Sequence, residues 1–228
     1  APHDRRIPFS IADQGIHAEN PLVEAFFELL EMGGGRFDAV QVLGLLEQPA
    51  VLRRFGLTED DLELIRRWVR ETGIRWGIDA GVKSTWELPA TAENTWRAGL
   101  DRLLLGYALP GEGRDLYSGI LPYDEVEGSD AQALGGLQSF AEALFGLDAQ
   151  LREHRPLADW ATTLHGVLTQ FFDPRDREEN ELQLIRRALE TLDDHASQAG
   201  FAEPVTLAVI KSALRGQLNT PESGAARF

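Results

Sequence analysis

Arginine beside tryptophan recurs through the first half of this 228-residue chain. Arg66-Arg67-Trp68 with Arg70, Arg75-Trp76, and Trp96-Arg97 with Arg102 set guanidinium groups next to indoles, and Arg53-Arg54 precede them. A guanidinium fork matches phosphate oxygens and an indole face stacks on a base, so the set is suited to holding a single nucleic-acid strand. The candidate contacts are Arg66, Arg67, Arg70, Arg75, Trp76, Trp96 and Arg97. The same residues admit a structural reading. Glu63 and Arg67 stand at helical i,i+4 spacing, Glu59, Asp60, Asp61 and Glu71 offset most of the positive charge, and the tryptophans can serve as core aromatics.

Other chemistries fail on spacing. Gly77-Ile78-Asp79-Ala80-Gly81-Val82-Lys83-Ser84 approaches a phosphate-binding loop, but Val82 stands where a second glycine must let the backbone wrap the phosphate. No apolar strand precedes it and no clean helix is expected after it, so it reads as a surface loop. A metal-dependent nuclease core of the D/E-x-K kind needs an acid two residues before a lysine; the two lysines, Lys83 and Lys211, have Gly81 and Val209 there. His3, His17, His154, His165 and His195 show no metal-ligand spacing, and no cysteine is present, so neither a metal site nor a cofactor is expected. Ser10, Ser84 and Ser118 lack a nucleophile-elbow context. The acidic doublets Asp60-Asp61, Glu178-Glu179 and Asp193-Asp194 read as solvated helix faces, and no catalytic residue is assigned.

The elements that must position these residues are helical almost throughout. Asn20-Pro21 reads as an N-cap with proline at the first helical position, opening a helix over Leu22 to Met32 that Gly33-Gly34-Gly35 stops. Asp38 caps a second helix, Ala39 to Glu47, ended by Pro49. Thr58 and Asp61 form a capping box for Glu59 to Thr72, with Leu62, Ile65 and Val69 inward and Gly73 at the end. Residues 73–92 read as an ordered, aromatic-packed loop. A helix follows over about Glu93 to Leu109, then a second packed-down loop to Gly128, and longer helices over about 129–153, 157–172, 177–199 and 205–218. Ile7 to Ile11 is the strand candidate, confined by Pro8 to an edge or a strand start.

Composition bounds the rest. Ordinary globular proportions and the length favour one folded unit with a proper core. The net charge of −15 repels polyphosphate at long range, so nucleic-acid contact must be local or shared with another chain. No apolar run is long enough to span a membrane, and the lack of cysteine suggests a cytosolic setting. The start without methionine and the ragged end suggest a piece of something longer.

Unusual words in the chain carry a family resemblance. Ile7-Pro8-Phe9-Ser10-Ile11-Ala12-Asp13, Glu19-Asn20-Pro21-Leu22, Arg36-Phe37 and Val42-Leu43-Gly44-Leu45-Leu46 are among them. So are Gly73-Ile74-Arg75-Trp76-Gly77-Ile78-Asp79, Asn94-Thr95-Trp96-Arg97-Ala98-Gly99-Leu100, Leu104-Leu105-Gly106-Tyr107-Ala108 and Leu121-Pro122-Tyr123-Asp124-Glu125. Arg155-Pro156-Leu157 and Phe171-Phe172-Asp173-Pro174 continue the series. These resemble the middle of the RecC family, the gamma subunits of exodeoxyribonuclease V. The likeness runs over nearly the whole chain and is densest over residues 7–125.

The resemblance implies a mainly α fold, a helical accessory subdomain inserted in a superfamily-one-helicase-like motor domain that has lost its ATPase machinery, with at most a short N-terminal strand. Residues 1–19 would lead in from the motor-like domain, 20–218 would form the helical accessory-like domain, and 219–228 a mobile tail. It further implies a non-catalytic role in the bacterial cytoplasm. There the chain would line the DNA channel, or form the scaffold, of the RecBCD helicase-nuclease that processes double-strand breaks and responds to Chi. RecB-like and RecD-like helicase subunits and single-stranded DNA are the implied partners, with no membrane and no cofactor. The rival expectation is a purely protein–protein docking scaffold, with the acidic stretches Asp124 to Asp130 and Glu178 to Asp194 turned to basic partner surfaces.

Overall fold

A computed structural model describes residues 20–109 and 115–219. The strand candidate at Ile7 to Ile11, the lead-in segment and the tail beyond Asn219 lie outside the described residues. Within them the chain is mainly helical, with no sheet and two isolated bridges, Tyr117 with Ile120 and Arg155 with Val205. No described helix is long and apolar enough to cross a membrane.

Helix α1 (Pro21–Glu31) buries Leu22, Val23, Ala25, Phe26, Phe27, Leu29 and Leu30, and Gly34 in the left-handed region turns the chain after it. Its N-terminus is satisfied from afar. The Leu22 amide donates to Glu181 Oε2 at 2.9 Å, a carboxylate 159 positions on, rather than to a side-chain cap from Asn20. Helix α2 (Ala39–Leu46) is capped as expected, Asp38 Oδ1 accepting from the Val40 amide. Pro49 does not simply end that helix; it opens another, α3 (Pro49–Arg54), because a proline without an N–H fits the first turn of a helix as readily as it breaks an interior. Helix α4 (Glu59–Glu71) carries the full Thr58–Asp61 capping box, and Leu62, Ile65, Trp68 and Val69 face the core.

The near-miss phosphate loop contains one turn of helix, α5 (Ala80–Ser84), capped by the Asp79 carboxylate on the Val82 amide. The expectation of a plain loop is corrected here: Asp79 at the N-cap supplies the nucleation that periodicity over five residues cannot show. Helix α6 (Trp96–Ala108) starts three residues later than the pattern suggested, because Thr95 takes the cap with its hydroxyl on the Ala98 amide. A short 3₁₀ turn (Gly128–Asp130) leads into α7 (Ala131–Leu151), followed by α8 (Leu157–Phe171), α9 (Arg177–Ala199) and α10 (Leu207–Asn219).

One continuous apolar core joins these elements. Helix α7 lies against α4, α6 and α8, while α9 runs against α8, α10 and α1. Phe55 meets Phe140 edge-on at 5.2 Å and Phe171 at 6.0 Å, tying the end of α3 to α7 and α8. Close backbone approach sets the seat of α6: a Cβ on Gly106 would stand 1.8 Å from the Tyr123 carbonyl oxygen, and one on Gly99 2.1 Å from Ile74. The segment 115–126 is thereby laid along α6, and the Tyr123 amide donates to the Arg102 carbonyl at 2.9 Å.

Candidate nucleic-acid interface

The amphipathic pattern of α4 turns Arg66, Arg67 and Arg70 outward, three guanidinium groups on adjacent turns of one face. Their charge is partly answered. Arg66 bonds Glu47 at 2.7 Å and also Glu63, and these pairs hold its guanidinium above its ordinary pKa, the Glu47 hydrogen bond foremost. Glu63 therefore pairs with Arg66 at i,i+3 and not with Arg67 at i,i+4 as its spacing suggested. Arg70 is 73% exposed, with the Glu71 carboxylate 3.6 Å away. Arg67 is exposed and lies within electrostatic reach of Glu71 and Tyr123.

The other candidates divide. Arg75 is exposed, and its backbone rather than its side chain is engaged: its amide donates to the Asn94 carbonyl and its carbonyl accepts from Ala39. Arg97 at the start of α6 bonds Glu142 at 3.1 Å, lies 3.7 Å from Asp79 and covers the Phe145 ring at 5.0 Å. Trp96 is 0% exposed and donates its indole N–H to the Phe37 carbonyl oxygen at 2.9 Å, which is the core packing its alternative reading describes. Trp68 and Trp160 are likewise fully buried, whereas Trp76 is half-buried. The structure thus brings Arg66, Arg67 and Arg70 together, sets Arg97 apart among carboxylates, and takes Trp96 off the surface.

Sequence reasoning passed over a second cluster. Arg36 extends over the Trp86 ring at 4.8 Å and the Trp76 ring at 6.0 Å, and Lys83 Nζ lies 5.2 Å from the Trp76 centroid. The backbone brings them together, since the Gly77 amide donates to the Arg36 carbonyl at 2.7 Å. Lys83 is 5% exposed and donates to the Glu93 carbonyl, so it is held inside and does not reach out as a phosphate-loop lysine must. Phe37 and Glu87, neighbours of Arg36 and Trp86, both sit in the left-handed region, at φ 55° and 58°, a strain of about 1–3 kcal/mol each for a side chain with a Cβ. No short-range sequence motif encodes this cluster; the signal available was a solvent-side tryptophan at Trp86 in a polar loop.

A groove of about 570 Å³ runs between the end of α4, residues 92–95, α6 and residues 119–121. Glu71, Asp79, Glu93 and Asp101 line it alongside Arg97 and Arg102, so acids outnumber bases and a phosphate would be repelled there. Among the described residues no group of three or more His, Cys, Asp or Glu could hold a metal ion.

Comparison with known proteins agrees with these words and this helical body. The chain matches the family described as RecBCD enzyme subunit RecC, fourth domain, over residues 19–222. It is 37% identical over 219 residues to the RecBCD enzyme subunit RecC of Escherichia coli (strain K12), covering 96% of this chain and 19% of that protein. It is 30% identical over 213 residues to the RecC subunit of Haemophilus influenzae, covering 93% of this chain and 18% of that one. To the RecC subunit of Mycolicibacterium smegmatis it is 37% identical over 154 residues, covering 68% and 14%. The chain therefore spans about a fifth of the length of the curated relatives it matches. Matched along nearly all of its own length, the chain belongs to the RecC family, in which it corresponds to the fourth domain.

Proposed function

We propose that this chain is a non-catalytic part of a RecC subunit that forms wall and scaffold of the DNA channel in a RecBCD helicase-nuclease, in the bacterial cytoplasm. Its partners on this reading are RecB-like and RecD-like helicase subunits and the single strand released by unwinding, and its contribution is to double-strand-break processing under Chi control. The helical body would be an accessory subdomain set into a helicase-like motor domain, with residues 1–19 leading in from it. The observation that carries the reading is the outward α4 face of Arg66, Arg67 and Arg70. Its ion pairs are surface pairs, worth about 0–1 kcal/mol, so a phosphate can displace a carboxylate at small cost. Trp96 then acts by positioning α6 and not by stacking.

The reading is tested by low-salt binding of single-stranded DNA to the chain and to its Arg66/Arg67/Arg70→Ala variant. Weaker binding by the variant is expected. Equal binding, or none by either, would count against these contacts.

A second reading, docking of partner subunits without DNA, is favoured by a specific surface. Leu104 and Tyr107 of α6, with Leu116, Tyr117 and Leu121 of the segment laid along it, are all exposed. Apolar exposure on neighbouring elements is typical of surfaces that another protein covers. The acid-rich α9 and residues 124–130 would supply the polar part of such a contact.

A further inference from the structure

We propose that Trp86, Arg36 and Trp76, backed by Lys83, form a base-stacking site for a single nucleic-acid strand, separate from the α4 arginines. The proposal rests on the strand-binding reading above and extends it to residues that reading did not include. The four side chains alternate ring and cation: Trp86, then Arg36 at 4.8 Å, then Trp76 at 6.0 Å from the same guanidinium, then Lys83 Nζ at 5.2 Å from that second ring. Trp86 remains 37% exposed with Arg36 over its ring, so a base laid on the outer indole continues a stack that is already built. The arrangement is preorganised by the Asp79 cap on α5 and by the bond from the Gly77 amide to the Arg36 carbonyl.

Charge adds to the geometry. Arg66, Arg70 and Arg97 each face a carboxylate within 4.0 Å, whereas among the described residues Arg36 and Lys83, like Arg67 and Arg75, enter no ion pair. Arg36 is exposed, and Lys83 spends a hydrogen bond on the neutral Glu93 carbonyl. In a chain of net charge −15 this leaves Arg36 as an exposed cation beside exposed indole, which is the combination that a strand of bases and phosphates recognises, while the buried Lys83 acts only behind the Trp76 ring. Glu87, next to Trp86, and Asp38, next to Phe37, are the nearest acids in sequence; Asp38 is committed to the Val40 amide. A duplex, whose bases are stacked inside, has nothing to lay on Trp86. A free nucleotide would want a phosphate cradle, and Lys83 is turned away from that task.

The test uses the 228-residue chain with a labelled short oligodeoxythymidylate and an abasic strand of the same length, read by fluorescence anisotropy at low salt. Trp86→Ala is expected to weaken the thymidylate roughly tenfold, within the about 1–3 kcal/mol that a base on an aromatic is worth. Trp86→Phe should retain most of the affinity, and neither change should alter binding of the abasic strand. In the unaltered chain, a bromodeoxyuridine-substituted strand should photocross-link to Trp86, a readout that needs no variant to fold. Unchanged thymidylate affinity in Trp86→Ala, or cross-links confined to α4, would overturn the stacking site. A loss of affinity in the Arg66/Arg67/Arg70→Ala chain would then show that the strand-binding reading survives it. Absence of binding by the unaltered chain to either strand would overturn both.

Discussion

The Trp96 indole N–H donates to the carbonyl oxygen of Phe37 at 2.9 Å, across 59 positions of chain, and both side chains are 0% exposed. This one bond fixes the start of α6 against the turn that follows α1, and the left-handed Phe37 backbone places that carbonyl in reach. Replacing Trp96 with phenylalanine removes the donor and strands a buried acceptor, which costs about 1–3 kcal/mol before any packing loss. Urea denaturation of Trp96→Phe should show a loss of about that size, and Trp96→Ala a loss of about 3–5 kcal/mol. The folded fraction of Trp96→Phe should bind single-stranded DNA as the unaltered chain does, because the indole acts through position alone.

Gly106 and Gly135 should respond to alanine with opposite signs. A Cβ on Gly106 meets the Tyr123 carbonyl at 1.8 Å, backbone that cannot yield without lifting the 115–126 segment from α6. Gly106→Ala should therefore destabilise by about 1–3 kcal/mol or more, as overpacking does. Gly135, exposed in the second turn of α7, has nothing within 4 Å, and Gly135→Ala should stabilise by about 0.5–1 kcal/mol. Thermal unfolding of the two variants beside the unaltered chain decides both.

Tyr123 donates its hydroxyl to Glu71, joining the segment along α6 to the end of α4, and the pair should leave a mark on the pH profile of stability. The hydrogen bond from Tyr123 is the main cause that holds the Glu71 carboxyl below its ordinary value, with Arg70 and Arg67 adding to it. Burial, then the Glu71 bond, pushes the Tyr123 phenol above its ordinary value. A lowered acid stabilises the fold above the ordinary carboxylate range and loses that contribution as pH falls through its folded value. A raised phenol stabilises below its ordinary value, near pH 10, and loses that contribution as pH rises. The stability difference between the unaltered chain and Tyr123→Phe should thus be flat from about pH 5 to 9 and narrow at both ends. A difference independent of pH would count against the pair.

The chain should hydrolyse no ATP, with or without DNA. Lys83, the lysine of the near-miss phosphate loop, is held on the Glu93 carbonyl, and the Asp79 carboxylate occupies the first turn of α5 where a phosphate would have to sit. DNA-stimulated release of phosphate by the purified chain would overturn the non-catalytic assignment.

Local chemistry made much of this fold legible. The Thr58–Asp61 capping box, the Asp38 cap and the glycine stop after α1 each involve partners within a few residues, so they can be read from the chain and stand in the structure. What could not be read is non-local or ambiguous in sign. Pro49 ends one helix and opens the next, and sequence does not say which role prevails. Glu181 caps α1 across 159 residues, and Arg36 meets Trp86 across the four helices α2 to α5. The α4 arginines were legible as a face because helical period sets it, but their partners were not: Arg66, and not Arg67, pairs with Glu63, and also with Glu47 just past the end of α2, a contact that local spacing does not encode.

The salt dependence of single-strand binding tests the central claim most directly. Three phosphate contacts on a single strand contribute a slope of about −2 in log affinity against log salt, at roughly −0.7 per contact. The account predicts that the Arg66/Arg67/Arg70→Ala chain binds an oligodeoxythymidylate more weakly at low salt and with a slope shallower by about 2. Identical affinity and slope in the two chains would contradict it.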